Sequence, residues 1–234
     1  MTISIENSRR ESITNSVGAV REMITGSDVY QPLKETSHAT IAMGQELQAL
    51  EAADALGGIK VADFGSGTGM HAVFAKFVFP GLEVHAYEND PNAEKYILAN
   101  AELYNVDITT HIMDVADISD NEEFDIVISS PPYYPLVLKT LRLSGVHAGD
   151  PDSAVYGGVD GTDVQAVFIA KAGNVLKPGG FIVVVHSRPQ KEAVDAMLAE
   201  NGFGTPVTHD LANVASNADE LDLVNAVFTV AYKN

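Results

Sequence analysis

Hydrophobic positions change their period along this chain. Up to about residue 25, Ile13, Val17, Val20 and Ile24 recur at helical spacing and predict a short amphipathic helix. Gly26-Ser27-Asp28 breaks that pattern, and Val29-Tyr30-Gln31-Pro32 reads as extended chain. A second helix is expected over residues 35–55, with Ile41, Leu47 and Leu50 turned inward and Gly57-Gly58 closing it. From Ile59 onward, short apolar runs alternate with helical stretches. Strands are expected at 60–64, 82–88, 107–113, 124–129 and 181–186. Helices fall between them at about 69–79, 91–104, 116–122 and 162–176, then at 189–200. Two further strands follow near 205–209 and 222–232, joined by a polar loop, 211–221, with no room for a crossover helix. Those two should therefore pair antiparallel. The whole pattern predicts an α/β fold whose mostly parallel sheet is covered on both faces.

Composition narrows the class. A chain of 234 residues with 46% apolar content can bury the core of one α/β domain with a modest extension. No stretch approaches the roughly 18 apolar residues of a membrane span. The polar opening MTISIENSRRES lacks the apolar run of a signal peptide, so a cytoplasmic protein with no membrane partner is expected. With no cysteine, disulfides, thiolate metal sites and cysteine nucleophiles are excluded. Acidic residues number 32 against 14 basic ones, a net charge of −18 that disfavours a phosphate backbone as partner. Lys139 and Arg142 in one loop are too few to line a basic groove. The histidines at 38, 71, 85, 111, 147 and 186 share no metal-ligand spacing, and core or surface roles are expected for them. Tyr30 and His186 are candidates to face an acceptor pocket.

The sharpest local signal is Asp63-Phe64-Gly65-Ser66-Gly67-Thr68-Gly69, a strand running into a glycine-rich turn and then a helix. Glycines there let backbone approach a ligand closely at the carboxyl ends of parallel strands. The spacing is G-x-G-x-G; the third glycine of a dinucleotide fingerprint is replaced by Met70. Glu88, followed by Asn89, ends the second strand, where a carboxylate can accept both hydroxyls of a ribose. Asp114 ends the third and can take an adenine amine, with Val115 donating from its backbone. Acid, acid and glycine loop at matching ends of three consecutive strands point to an adenosine ligand.

This arrangement resembles the class I S-adenosylmethionine-dependent methyltransferases over about residues 35–234, with residues 1–34 as a helical and extended N-terminal extension. The resemblance implies a Rossmann-like seven-stranded sheet of order 3-2-1-4-5-7-6, its last strand antiparallel, and S-adenosylmethionine as cofactor. It implies that residues 65–69, Ser66 and Thr68 included, pass beneath the methionine moiety, that Asp63 helps hold its ammonium and that Glu88 clasps the ribose. Lys177-Pro178-Gly179-Gly180 before the fifth strand is also typical of that class.

After the fourth strand stands Ser129-Ser130-Pro131-Pro132-Tyr133-Tyr134. Two prolines stiffen the turn and leave carbonyls outside the sheet ladder. Those carbonyls and the Ser130 hydroxyl can accept hydrogen bonds from a planar NH2 group, and the Tyr133 ring can stack on its plane. The segment resembles the [Asn/Asp/Ser]-Pro-Pro-Tyr motif of enzymes that methylate an amide or exocyclic amine. Residues 150–161 (DPDSAVYGGVDG) look like the Glu-Pro-x-x-Ala-Leu-x-Gly-Gly-x-Asp-Gly run of HemK/PrmC-type protein-glutamine methyltransferases. Residues 29–36 (VYQPLKET) are similar to that family's Val-x-x-Pro-Arg-x-Glu-Thr segment. The resemblance implies a protein substrate, the Gly-Gly-Gln glutamine of a peptide-chain release factor. Ser130 stands where the family has asparagine, and serine is more usual in cytosine-amine enzymes; Leu33-Lys34 replaces Arg-Pro. Only about 28 residues precede the Val29 segment, fewer than the family's helical substrate-gripping domain. Two alternatives stay open: a nucleic-acid base-amine methyltransferase, and a non-catalytic module that binds the cofactor. Residues 134–160, with Lys139, Arg142 and His147, are the expected substrate loop.

Overall fold

The structure is a computed structural model that describes residues 8–14, 20–30, 57–140, 150–210 and 226–234, with Gly44, Leu47 and Gln48. Two strands open the chain, β1 (Arg9–Thr14) and β2 (Val20–Thr25). The βα alternation follows: β3 (Lys60–Phe64), α1 (Met70–Val78), β4 (Glu83–Glu88), α2 (Glu94–Tyr104), β5 (Thr109–Ile112) and β6 (Phe124–Ser129). After it come two short helices, α3 (Leu136–Thr140) and α4 (Asp152–Val155), then α5 (Asp163–Val175), β7 (Leu176–Ser187) and α6 (Lys191–Glu200). The last two strands are β8 (Val207–Asp210) and β9 (Ala226–Tyr232).

The large sheet has the order β5-β4-β3-β6-β7-β9-β8. Counted within that sheet, this is the expected 3-2-1-4-5-7-6. The five strands from β5 to β7 run parallel, and β9 is antiparallel to both β7 and β8. Alternate residues of each central strand enter opposite cores, because successive side chains of a strand point to opposite faces. Val61, Val84, Ile126, Ile128 and Val183 pack with α1 on one face. Ala62, Phe64, Val127, Ile182 and Val184 pack with α5 and α6 on the other. Burying each large aliphatic contributes about 1.5–3 kcal/mol, which makes this sheet the rigid support for whatever stands at its carboxyl edge.

Three expectations change. The first 25 residues contain an antiparallel hairpin, not a helix, with Thr14 opposite Val20 and Arg9 opposite Thr25. Ile13, Thr14, Val20, Ile24 and Thr25 are β-branched, which disfavours helix and suits a pleated edge. Met23 is buried against Val73, Phe74 and Ala101, while Asn100 takes both the N–H and the carbonyl of Ile24 (2.7 and 2.9 Å). The helix expected at 116–122 is one 3-10 turn, Val115–Asp117. Asp114 accepts from the Ala116 N–H at 2.9 Å, and a run rich in Asp, Ser and Asn competes with the backbone for such bonds. The fifth strand starts earlier than expected: Phe124 pairs with Leu176 and Ile126 with Phe181, so residues 177–180 bulge out. The helix expected over 35–55 lies outside the described residues except for 44, 47 and 48, which are helical, with Leu47 in the core. The 211–221 loop and residues 222–225 also lie outside them.

Candidate functional site

A cavity of about 400 Å³ opens at the carboxyl ends of β3, β4, β5 and β6. A volume of that order accepts a cofactor-sized ligand. One half is built by the glycine turn. The Gly65 and Ser66 N–H groups donate to the Tyr87 carbonyl (2.9 and 3.0 Å), tying the turn to the neighbouring strand. The Gly67 N–H donates to Glu88 Oε2 at 2.8 Å, and the Asp90 N–H to Glu88 Oε1 at 2.9 Å. Gly67 has φ +55, a left-handed conformation that suits glycine. Each Glu88 oxygen thus spends one acceptor position on backbone and keeps capacity for a hydroxyl. Burial pushes the Glu88 carboxyl above its ordinary pKa, and the backbone donors oppose that push.

Gly65, Ser66, Gly67, Thr68, Glu88, Asn89, Asp114 and Val115 all line the cavity, as expected. Asp63 and Gly69 do not. Asp63 is fully buried beneath the turn, where its Oδ2 accepts from Ser66 Oγ (2.5 Å) and from the Ala72 N–H (3.2 Å). Its Oδ1 has no hydrogen-bond partner, and burial pushes its pKa up to about 6. Gly69 lies against the Ile97 backbone, where a Cβ would come within 3.2 Å of Ile97 Cα.

Tyr30, a candidate from the sequence, lines the cavity, and so does Val29, which was not foreseen; both follow the hairpin in the chain. They are held there by Asp28, which pairs with Lys95 at 2.5 Å and accepts from the Tyr96 hydroxyl. Asn100, fully buried, adds a bond from Nδ2 to the Thr68 carbonyl (2.9 Å), so one side chain joins hairpin and glycine turn. His71 also lines the cavity; burial lowers its pKa to about 4, which keeps the ring neutral. His186 does not reach it. That ring is buried in the sheet, bonded to Thr229 Oγ1 (2.8 Å) and the Ser187 carbonyl (2.9 Å). His85 and His111 meet across β4 and β5 at 3.0 Å, yet no group of three metal-competent side chains occurs among the described residues. His38, Arg142 and His147 lie outside them.

The other half of the cavity is the turn after β6. Ser130, Pro131, Pro132, Tyr133 and Tyr134 all line it, with Ser130 exposed and Pro131 buried. The two tyrosine rings stack at 5.1 Å between centroids. Residues 150–161 wrap this turn from outside. The Tyr134 N–H donates to the Val155 carbonyl (3.1 Å), the Gly157 N–H to the Tyr134 carbonyl (3.0 Å) and the Leu136 N–H to the Gly158 carbonyl (2.9 Å). A Cβ on Gly157 would collide with the Pro132 carbonyl oxygen, and one on Gly161 (φ +85) with that of Tyr133. The Gly-Gly-x-Asp-Gly run is therefore a close-fitting backbone cradle, more than an ordinary turn. Pro151, Ser153 and Ala154 of this segment, with Val164, Val167 and Phe168 of α5, also line the cavity.

A methyltransferase small domain model matches residues 36–135, the stretch that carries the glycine turn and the Ser-Pro-Pro-Tyr turn. Release factor glutamine methyltransferases match beyond it. The one from Geobacter sulfurreducens is 30% identical over 143 residues, 61% of this chain and 50% of that protein. The one from Deinococcus radiodurans is 32% identical over 153 residues, 65% of this chain and 54% of that protein. The one from Streptomyces coelicolor is 29% identical over 194 residues, 82% and 68%. The chain is similar to class I S-adenosylmethionine-dependent methyltransferases of HemK/PrmC type. It spans about half the length of the first two of these relatives.

Solved structures agree on the fold. A T. thermophilus 16S rRNA N2 methyltransferase with S-adenosylmethionine and guanosine superposes with a TM-score of 0.66 at 20% identity, covering 98% of this chain and 52% of that one. A magnesium protoporphyrin IX methyltransferase from Synechocystis with bound cofactor gives 0.54 at 14% identity, covering 83% and 79%.

S-adenosylmethionine is the cofactor of this family, and the residues present fit it. Asp63, with an unpartnered oxygen and a pKa raised by burial, lacks a cation of the kind the cofactor's ammonium supplies. Glu88 at the end of β4 keeps acceptor capacity for a ribose, and Asp114 at the end of β5 stands exposed at the cavity.

Proposed function

We propose that the protein transfers a methyl group from S-adenosylmethionine to a planar amide nitrogen, the glutamine side chain of a release-factor-type protein. The observation that carries this reading is that one cavity is lined both by the glycine turn with Glu88 and Asp114 and by the Ser130 to Tyr133 turn. Bound there, the cofactor supplies an electrophilic methyl on a positive sulfur. The amide nitrogen provides the electron pair for the new N–C bond, the S–C pair stays on sulfur, and the nitrogen releases a proton afterwards.

An amide lone pair is delocalised into its carbonyl, so the protein's task is geometry more than basicity. On this reading Ser130 Oγ and the Pro131 carbonyl accept the two N–H bonds, the Tyr133 ring stacks on the amide plane, and Pro132 keeps the turn stiff. Such orientation can supply roughly 7–11 kcal/mol of a barrier without a strong base. On the donor side, Asp63 with residues 65–69 holds the methionine end, Glu88 with Asn89 the ribose, and Asp114 with Val115 the adenine. We further assign residues 35–234 to the methyltransferase domain and residues 1–34 to an extension that carries the hairpin and closes one wall with Val29 and Tyr30. No helix among the described residues is long and apolar enough to cross a membrane. A cytoplasmic location, where protein synthesis offers such a substrate, belongs to the same proposal.

Ser130 favours a second reading, a nucleic-acid base-amine methyltransferase with the same chemistry. The net charge of −18 opposes it, since a polyanion must approach like charge. Incubation with labelled S-adenosylmethionine and separate release-factor, RNA and DNA fractions decides between them. Label in the release factor, lost when its glutamine is changed to asparagine, supports the first reading; label in nucleic acid alone overturns it.

A further inference from the structure

Gln190 is the last residue before α6, 6% exposed, and it stands where segments far apart in the chain meet. Its Nε2 donates to the Tyr133 carbonyl (2.8 Å) and to the Asp160 carbonyl (3.0 Å). Its Oε1 accepts from the Ser187 N–H (3.0 Å) and from Gln165 Nε2 (3.2 Å). The amide thus spends both donors and both acceptor positions, on four partners from four segments. Gly161 closes in from the other side, where a Cβ would meet both the Tyr133 carbonyl oxygen and Gln190 Nε2.

The Tyr133 carbonyl ends the turn that carries Ser130 and the Pro131 carbonyl. Proline rings fix φ at Pro131 and Pro132, so a hold on the Tyr133 peptide removes much of the freedom that remains. Gln190 is not among the residues lining the cavity, so it acts through the turn and not on a ligand. We propose that Gln190 is a positioning residue for methyl transfer: by clamping the Tyr133 and Asp160 carbonyls it sets where the acceptor nitrogen stands relative to the methyl donor. The inference rests on the reading above that this turn receives the acceptor. Nothing local in the Ser-Pro-Pro-Tyr motif reports the clamp, because it comes from 57 residues further along the chain.

Gln190→Glu tests it. The substitution keeps shape and the acceptors for Ser187 and Gln165, and it removes both donors. Three quantities are measured on the full chain: cofactor affinity by calorimetry, amide hydrogen exchange over residues 130–137 and 156–163, and kcat and KM for transfer to a release factor. The expected result is cofactor affinity within about twofold of wild type, faster exchange in both segments, and kcat lower by roughly 10- to 100-fold, since a misplacement of about 1 Å can cost that much. KM for the release factor should move by less. A Gln190 that only stabilised the fold would lower the melting temperature and leave kcat of the folded enzyme unchanged, and that result overturns the proposal. So does a parallel fall of cofactor affinity and kcat. If Gln190→Glu does not fold, Gln190→Met, of similar length and without donors, is read by the same criteria. If wild-type enzyme labels a nucleic acid and not the release factor, the glutamine reading fails by itself, and the same ratios taken on that nucleic acid decide the role of Gln190.

Discussion

The donor and acceptor halves of the cavity are held differently. On the donor side, bonds within a few residues, Ser66 to Asp63, Asp90 to Glu88 and Ala116 to Asp114, work beside longer ones from Gly67 to Glu88 and from Asn100 to Thr68. On the acceptor side they are long. Tyr134 is bonded to Val155 and Gly157, and Tyr133 to Gln190. A site closed by local bonds can be read from a motif, whereas one closed by distant bonds is specified by the fold as a whole. The halves should therefore fail separately, and each of the following variants tests that separation.

The largest effect is expected from Gly157→Ala. The new Cβ has nowhere to go but into the Pro132 and Gly161 carbonyl oxygens, so the turn must shift. Transfer should fall by about 100-fold or more while cofactor affinity is nearly kept. Equal losses in both would mean that the cradle supports the entire cavity and that the division into halves is wrong. Glu88→Ala should do the reverse. A charge-assisted bond is worth about 1.5–3 kcal/mol, so S-adenosylmethionine should bind roughly 10- to 100-fold more weakly by calorimetry, with kcat at saturating cofactor changing far less. Unchanged affinity would remove Glu88 from the site.

Tyr133→Ala comes next, with an expected loss of about tenfold in kcat and little change in cofactor binding, because one stacking contact is removed and the clamped backbone stays. The smallest effect concerns pH. Asp63 titrates near 6 in the fold against 3.8 in an unfolded chain. Its raised pKa contributes stability that is complete below about 4 and is lost as pH rises through 6. Asp63→Asn should remove that loss, so urea unfolding at pH 5 and at pH 7 should show the variant gaining roughly 1 kcal/mol on wild type between them. Bound S-adenosylmethionine, whose ammonium would favour the carboxylate, should shrink the difference. A difference that cofactor does not change would separate Asp63 from the ammonium.

What was legible in the sequence follows the same division. The strands at 60–64 and 124–129 and eight residues of the donor lining are properties of short windows, where apolar period and glycine spacing carry the information, whereas the order of the seven-stranded sheet came from the family resemblance. The hairpin was not legible. Ile13, Val20 and Ile24 fit a helical period, and only docking on α2 through Asn100 and Met23 decides for strands. Asp63 was legible in the motif, but not that it lies buried under the turn, with Oδ2 holding Ser66 and Ala72 and Oδ1 left unpartnered.

By itself, then, the sequence determined the central strands and the donor turn, because each depends on side-chain period and backbone freedom within about ten residues, while the strand order and the amide or amine reading of the acceptor turn came from likeness to a family. Only the tertiary structure decided that Val29, Tyr30 and His71 wall the cavity, that His186 is excluded from it, and that Gly157, Gly161 and Gln190 grip the acceptor turn. The physical reason is that a buried carbonyl needs a partner but not a nearby one: hydrogen-bond satisfaction is demanded locally and met wherever the fold brings a donor.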